Sequence, residues 1–157
     1  MNLVPAEIEH LKILKTWFQD ESSARQWGGP LLKYPFSDTT FKEEIGWQRM
    51  SNWSLLDEAN ELTGFGQYYE KAGRCHLARL VIAPLHRSKG LGRRLIQELM
   101  KVGRQDLDMS EYSLFVMSNN KRAIKCYRSL DFVVAPYPPG QQVFEDIDFM
   151  VRKHPGT

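Results

Sequence analysis

The feature that most constrains the fold is a segment in which an apolar run, a basic stretch with glycines and an amphipathic pattern follow one another. Residues 80–82 are apolar, and after Pro84 the chain reads Arg87-Ser88-Lys89-Gly90-Leu91-Gly92-Arg93. Apolar residues then recur at helical spacing as far as Met100, which predicts a strand, a loop and a helix. Because the first N–H groups of a helix lack intrahelical partners, we expect an anion site at this helix start.

Several anions are disfavoured by what the segment lacks. A triphosphate-binding loop needs Lys and then Ser or Thr after its last Gly, whereas Arg93 and Arg94 follow Gly92. A dinucleotide site needs a third Gly or Ala where Leu95 stands. Taken alone, the segment has a second interpretation, in which the glycines shape a tight loop and the basic side chains are simply solvated.

The rest of the chain predicts a mixed α+β domain. Apolar residues at helical spacing indicate an N-terminal helix over residues 8–18, and three strands follow at 53–57, 62–69 and 75–82 as an antiparallel meander. After the helix that begins near residue 91 come a strand at 112–117, a helix capped by Asn119 or Asn120, and strands at 132–135 and 144–151. We therefore predict a single domain over residues 1–157, with a mostly antiparallel sheet of mixed direction covered by helices.

Composition limits the classes of function. A length of 157 residues fits one domain, and a net charge of +2 is too small to argue for a nucleic-acid partner. The longest uncharged stretch, residues 132–144, contains three prolines, so we expect no membrane span and a soluble, cytoplasmic protein without membrane partners. Cys75 and Cys126 are expected to be free thiols, and the four histidines form no zinc motif. No metal is expected.

Two blocks of the sequence resemble the GNAT N-acetyltransferase superfamily. The stretch from Arg87 to Gly92 resembles its acyl-CoA signature, Arg/Gln-x-x-Gly-x-Gly/Ala, and the preceding Leu-Val-Ile-Ala-Pro is similar to its fourth strand. A second block, from Asn120 to Phe132, resembles the family's Asn, Ala, Tyr and Gly-Phe pattern, with Asp131 where Gly is usual. Asp tolerates the left-handed conformation that a helix stop needs. The resemblance implies the GNAT acyl-CoA N-acyltransferase fold.

The resemblance also implies how acetyl-CoA, the expected co-substrate, is held. Its diphosphate would lie on the N–H groups of residues 88–93, and its pantetheine arm would run beside the fourth strand. A backbone N–H near Val81 would polarise the thioester carbonyl. The implied cofactor-binding residues are Leu80, Val81, Ile82, Arg87, Ser88, Lys89, Gly90, Leu91, Gly92, Arg93 and Asn120. Asn120 is equally expected as a helix cap.

The implied catalytic residues are Tyr127 and His76. Tyr127 matches the family tyrosine that protonates the departing thiolate, and a phenol pKa of about 10 lies above a thiol pKa of about 8.5. Its alternative role is a core tyrosine. Some members carry a Glu base eleven residues before the signature, a position held here by His76; a structural His, Glu70 acting through water, or no base at all remain alternatives. Cys126 is expected to pack away from Tyr127.

The resemblance implies an N-acetyltransferase in which a primary amine attacks acetyl-CoA directly in a ternary complex. The acceptor would be a small molecule or a protein N-terminus, bound by residues 20–34 and 137–148, and a homodimer is possible. Aromatic and acidic candidates for this site are Trp27, Tyr34, Trp47, Trp53, Tyr137, Asp20, Glu21, Glu145, Asp146 and Asp148. One alternative is a non-catalytic acyl-CoA sensor or interaction module. Nucleic-acid contact is less well supported, because no aromatic platform interleaves the basic cluster.

Overall fold

A computed structural model of the protein describes residues 1–153 and contains five helices and seven strands within them. The helices are α1 (Ile8–Lys15), α2 (Glu21–Gly28), α3 (Phe41–Glu44), α4 (Leu91–Leu107) and α5 (Lys121–Ser129). The strands are β1 (Asn2–Pro5), β2 (Ser51–Leu56), β3 (Leu62–Lys71), β4 (Arg74–Ile82), β5 (Glu111–Met117), β6 (Val133–Ala135) and β7 (Ile147–Lys153). A short 3₁₀ turn, Pro84–His86, separates β4 from α4.

The strands form one sheet in the order β1-β2-β3-β4-β5-β7-β6. Every neighbouring pair is antiparallel except β4 and β5, which are parallel because helix α4 crosses over between them. The predicted meander and mixed sheet are thus confirmed. Among the residues described, no helix is long and apolar enough to cross a membrane.

Helices cover both faces of the sheet, and two adjacent residues of β3 show this. Phe65 is fully buried in a cluster with Leu14 of α1 and Phe41 of α3. A side chain at the next residue, Gly66, would instead meet Leu99 of α4. Because successive strand residues point to opposite faces, α1 to α3 lie on one side of the sheet and α4 lies on the other.

The N-terminal region differs from the prediction of one long helix. Helix α1 ends at Lys15, and a second helix begins at Glu21, where Asp20 caps the free N–H of Ser23 at 2.8 Å. A polar cap residue within an apolar pattern starts a new helix, which the spacing alone did not indicate. The predicted strand at 144–151 begins later, at Ile147.

Two irregularities in β4 shape the centre of the sheet. Gln67 pairs with Ala78 and Phe65 with Val81, so Arg79 and Leu80 together face the single residue Gly66. This is a β-bulge, and Arg79 takes a left-handed φ of 49°. In addition, β4 pairs with β5 only from Cys75 to Leu77. The rest of β4, as far as Ile82, therefore lacks a partner on that side.

Candidate active site

A cleft of about 520 Å³ opens where β4 and β5 part. Residues from the start of α4 line one end, residues of α5 line a side wall, and residues of α2 together with the segment before it line the other end. The lining residues, in order, are Trp17, Phe18, Ser23, Gln26, Trp27, Leu77, Ala78, Arg79, Leu80, Val81, Ile82, His86, Arg87, Ser88, Gly90, Leu91, Gly92, Arg93, Leu95, Ile96, Phe115, Val116, Met117, Asn120, Arg122, Ala123, Cys126 and Tyr127. The structure thus brings all predicted cofactor-binding residues except Lys89 to one cleft.

The start of α4 has the geometry of an anion site. Its first helical hydrogen bond runs from the Arg94 N–H to the Gly90 carbonyl at 3.2 Å, so the N–H groups of Leu91, Gly92 and Arg93 precede the helical ladder. Gly90, with φ of 78°, turns the chain into the helix. A Cβ atom at Gly92 would meet only the Ile82 side chain, at 3.9 Å, so the space above this backbone is open to a ligand.

Side chains on either side hold this loop in place. The Arg87 Nε donates to the Ile82 carbonyl at 3.1 Å, which ties the loop to the end of β4. The Arg93 guanidinium donates to the Ser129 hydroxyl at 2.7 Å, and Arg122 donates to the Ser88 hydroxyl. Three guanidinium groups therefore stand at one end of the cleft, where a diphosphate would be neutralised.

Arg122 is a lining residue that sequence reasoning missed. It lies in the first turn of α5, two residues after Asn120, and it reaches the α4 loop through a contact 34 residues away in sequence, which spacing does not indicate. Asn120 itself caps α5 by accepting from the Ala123 N–H at 3.3 Å and also lines the cleft, so the structure is compatible with both of its expected roles.

The main chain of β4 offers hydrogen bonds to the cleft at alternate residues. The Ala83 N–H donates to the Thr63 carbonyl at 2.8 Å, and ladder hydrogen bonds recur at every second residue. Val81 therefore bonds to β3, whereas the main chain of Ile82 points toward the gap, where its carbonyl accepts from Arg87 and its N–H has no strand partner among the described residues. The bulge at Arg79 and Leu80 interrupts this alternation. The expected oxyanion donor near Val81 stays a prediction, for which the Ile82 N–H is a candidate.

Tyr127 lies on the cleft wall formed by α5. Its ring packs at 6.2 Å from Phe132, and its hydroxyl has no hydrogen-bond partner within residues 1–153. Burial raises its pKa well above that of a free phenol, with a smaller contribution from Cys126. The phenol is therefore protonated at neutral pH, as a general acid must be.

Cys126 differs from the expectation that it would face away from Tyr127. Both residues line the cleft, because consecutive positions on α5 flank the groove. Desolvation raises the pKa of the Cys126 thiol, which opposes formation of the thiolate. The thiol also packs against the core under α4, so the expectation that it is a packing residue and not a nucleophile fits its surroundings.

His76 is placed away from the cleft. It is 2% exposed, and its Nδ1 lies 2.8 Å from the Ser113 hydroxyl among the rings of Tyr69, Phe115 and Phe149. Burial, and to a lesser extent Lys71, lowers its pKa to about 3. An imidazole with such a low pKa is a weak proton acceptor, and His76 does not line the cleft, so its surroundings favour a structural role over that of a base.

The other candidate base and the expected acceptor groups also lie elsewhere. Glu70 is exposed and accepts the Gly73 N–H at 3.0 Å in a turn. Of the five aromatic candidates, only Trp27 lines the cleft. The described part of the chain places none of the expected carboxylates there: Asp20 caps α2, and Glu21 pairs with Arg25 at 3.0 Å. The residues described also contain no cluster of three metal-ligating side chains.

A split sheet, a helix start with open backbone donors and a partly buried tyrosine that lines the same cleft are the features of an acyl-CoA-dependent N-acyltransferase. The family model for the acetyltransferase (GNAT) family matches residues 13–132. The chain belongs to this family and is an acetyl-CoA-dependent N-acetyltransferase, as its two motifs predicted.

Known proteins agree with this assignment. The chain is 25% identical over 134 residues to a Bacillus subtilis protein named uncharacterized N-acetyltransferase YfmK, covering 85% of this chain and 86% of that protein. Its fold is similar to spermidine N-acetyltransferase from Vibrio cholerae in complex with CoA and spermine (TM-score 0.75, 19% identity, 98% and 95% of the two chains). It is also similar to the ribosomal-protein-S18-alanine N-acetyltransferase from Escherichia coli (TM-score 0.67, 22% identity, 97% and 92%).

Proposed function

We propose that this chain transfers the acetyl group of acetyl-CoA to a primary amine of a small molecule or a protein N-terminus, by direct attack in a ternary complex. The observation that supports it best is the meeting of three groups in one cleft: the open N–H groups of Leu91 to Arg93, the free side of β4 and the unpartnered hydroxyl of Tyr127. The similar structures, which act on spermidine and on a ribosomal protein, support an amine acceptor.

The cofactor-binding residues would hold acetyl-CoA through main-chain hydrogen bonds and through positive charges. The N–H groups at the start of α4 would bind the diphosphate of acetyl-CoA, with Arg87, Arg93 and Arg122 as counter-charges. Leu80 and Ile82 would bond to the pantetheine arm as an added strand would. Lys89 is exposed and would contribute through its charge alone.

The reaction would need one proton delivered and one removed. As the amine nitrogen forms its bond to the carbonyl carbon, a main-chain N–H of β4 near Val81, such as that of Ile82, would stabilise the negative charge on the oxygen. The carbon–sulfur bond then breaks, and Tyr127 would donate its proton to the sulfur. The proton lost by the amine would pass to water, because neither His76 nor Glu70 reaches the cleft.

A binding and turnover experiment tests this function. Calorimetry with acetyl-CoA should show one site, and thiol release should be accelerated by at least some amines in a panel of small amines and short peptides. The Gly92→Asp variant should lose both signals because it places a carboxylate among the phosphate donors. Binding without thiol release from any acceptor would instead favour the non-catalytic alternative. The homodimer, the cytoplasmic location and the absence of nucleic-acid and membrane partners stay predictions.

A further inference from the structure

The acceptor end of the cleft is lined by one positively charged side chain and by no carboxylate of the described residues. Arg79 is the charged residue there, and no Asp or Glu of residues 1–153 lines the cleft. Glu44 contacts Arg79, but through its main-chain carbonyl, at 3.1 Å. Its carboxylate is not among the lining groups. A second ammonium group on an acceptor would therefore meet no counter-charge.

Arg79 is fixed in this place by neutral partners. Its guanidinium donates to the carbonyls of Glu44 and Ile45 and to the Gln67 side chain at 3.1–3.3 Å, and its Nε is buried without a partner. None of these partners is a carboxylate, and the buried Oε1 of Glu44 has no hydrogen-bond partner, so Arg79 forms no ion pair among the described residues. Burial lowers the pKa of Arg79, Tyr69 acts in the opposite direction, and Arg49 lowers it further.

Two further cations lie behind the lining of this end. Lys71 holds its Nζ 5.8 Å from the ring centre of Phe115, a lining residue. A guanidinium nitrogen of Arg49 lies 3.1 Å from where a Cβ of Gly46 would be, and the preceding residue, Ile45, accepts a hydrogen bond from Arg79. Arg49, Lys71 and Arg79 therefore create a positive potential where the acceptor would lie.

The walls at this end are aromatic. Trp17, Phe18 and Trp27 line it from the α1–α2 region and Phe115 from β5, with Ser23 and Gln26 as the polar groups. Phe18 and Trp27 stack at 4.6 Å, so the wall is a rigid apolar surface. It fits a hydrocarbon or aromatic chain better than a polyamine, whose amines must stay hydrated or paired.

We propose that the acceptor is an amine whose remaining part is apolar and carries an anionic group, not a second ammonium. This inference rests on the proposed acetyl transfer. The same cations that repel a second ammonium disfavour the protonated form of the reacting amine, and so favour the neutral nucleophile at an end of the cleft that no carboxylate of residues 1–153 lines. The positive charge at this end would therefore both select the acceptor and favour its reactive, unprotonated amine.

Three amines of equal length test the proposal: pentylamine, 1,5-diaminopentane and 5-aminopentanoate differ only in a neutral, positive or negative far end. We expect kcat/KM to be highest for 5-aminopentanoate and lowest for 1,5-diaminopentane, with a difference of at least about tenfold between these two. Equal rates for all three, or a preference for the diamine, would overturn the proposal while leaving acetyl transfer intact. Acetyl-CoA binding without thiol release from these three amines would overturn this inference, and the same failure across the whole panel of amines and peptides would overturn the transfer itself.

Charge-reversal variants test whether these cations cause the preference for 5-aminopentanoate over 1,5-diaminopentane. Lys71→Glu and the exposed Arg49→Glu should each shift the ratio of kcat/KM values toward 1,5-diaminopentane by several-fold, with acetyl-CoA affinity unchanged. Lys101→Glu is the matched control, since Lys101 lies on α4 outside this cleft. An equal shift in Lys101→Glu, or no shift in the two variants of the acceptor end, would contradict the electrostatic origin.

Discussion

The indole Nε1 of Trp27 donates a 2.8 Å hydrogen bond to the main-chain carbonyl of Arg79. Trp27 lies on α2 and Arg79 is the bulged residue of β4, so this contact joins the acceptor wall to the strand that opens the sheet. The indole also packs on Phe18, Phe41 and Phe65. One side chain therefore sets the distance between the two halves of the cleft.

The first prediction concerns this contact. Trp27→Phe keeps an aromatic ring but leaves the Arg79 carbonyl without its donor, so we expect the free energy of unfolding to fall by about 1–3 kcal/mol. The KM for the amine should rise while the dissociation constant of acetyl-CoA stays constant. Urea denaturation and steady-state kinetics measure these effects. Trp47→Phe is the control, because the Trp47 indole N–H has no hydrogen bond in the described residues and the residue does not line the cleft.

Removing the Tyr127 hydroxyl should slow the chemical step. Tyr127→Phe keeps the ring packed near Phe132 and removes the proton donor, so we expect kcat to fall by about 10²-fold or more, the usual contribution of a general acid. Calorimetry should show acetyl-CoA affinity within about twofold of wild type. A large loss of affinity with unchanged kcat would assign Tyr127 to binding only.

Replacing Gly92 should separate stability from binding. A methyl group at this position contacts only Ile82, at 3.9 Å, and Ala is favoured over Gly within helices by up to about 1 kcal/mol. Gly92→Ala should therefore unfold at an equal or higher urea concentration than wild type, yet bind acetyl-CoA about tenfold or more weakly, because the methyl group obstructs the phosphate donors. Weaker binding together with a large loss of stability would point to a packing role for Gly92.

The buried His76 should make the protein sensitive to acid. Its pKa is lowered to about 3, whereas an unfolded histidine titrates near 6.5, so below about pH 6.5 the unfolded chain binds a proton that the folded chain does not. Stability is thus complete above this pH and is lost as the pH falls, by about 1.4 kcal/mol per unit toward pH 3. Urea titrations at pH 7.5 and 5 measure the slope. His76→Gln should flatten it, and an unchanged slope would mean that other groups cause it.

Turnover should increase with pH through the neutral range. The proposed reaction assigns the amine proton to water and not to a side chain, and the raised pKa of Tyr127 keeps this acid protonated. The concentration of neutral amine increases about tenfold per pH unit below the amine pKa, so kcat/KM should follow it with a slope near one. A plateau beginning near pH 6.5 would instead indicate that an imidazole, such as that of the lining residue His86, acts as the base.

Local signals predicted the backbone structure at the expected cofactor end of the cleft. The order of strand, basic glycine loop and helix near Gly90 is set by neighbouring residues, and so are the Asn120 cap and the turn at Asp131, whose φ is 70°. The acceptor end depends on contacts far apart in sequence, such as that between Trp27 and Arg79. Spacing could not show that Asp20 serves as a helix cap or that His76 is enclosed by three rings.

The parting of β4 from β5 after Leu77 also affects how the fold is maintained. Strand residues beyond this point keep main-chain donors and acceptors that their neighbour does not satisfy, and a small molecule lying along them would act as an eighth strand. Without that molecule, the sheet has main-chain groups on β4 that no neighbouring strand pairs. By mass action, its resistance to unfolding would then vary with the supply of that molecule, so the metabolic state of the cell would govern the lifetime of the enzyme as well as its rate.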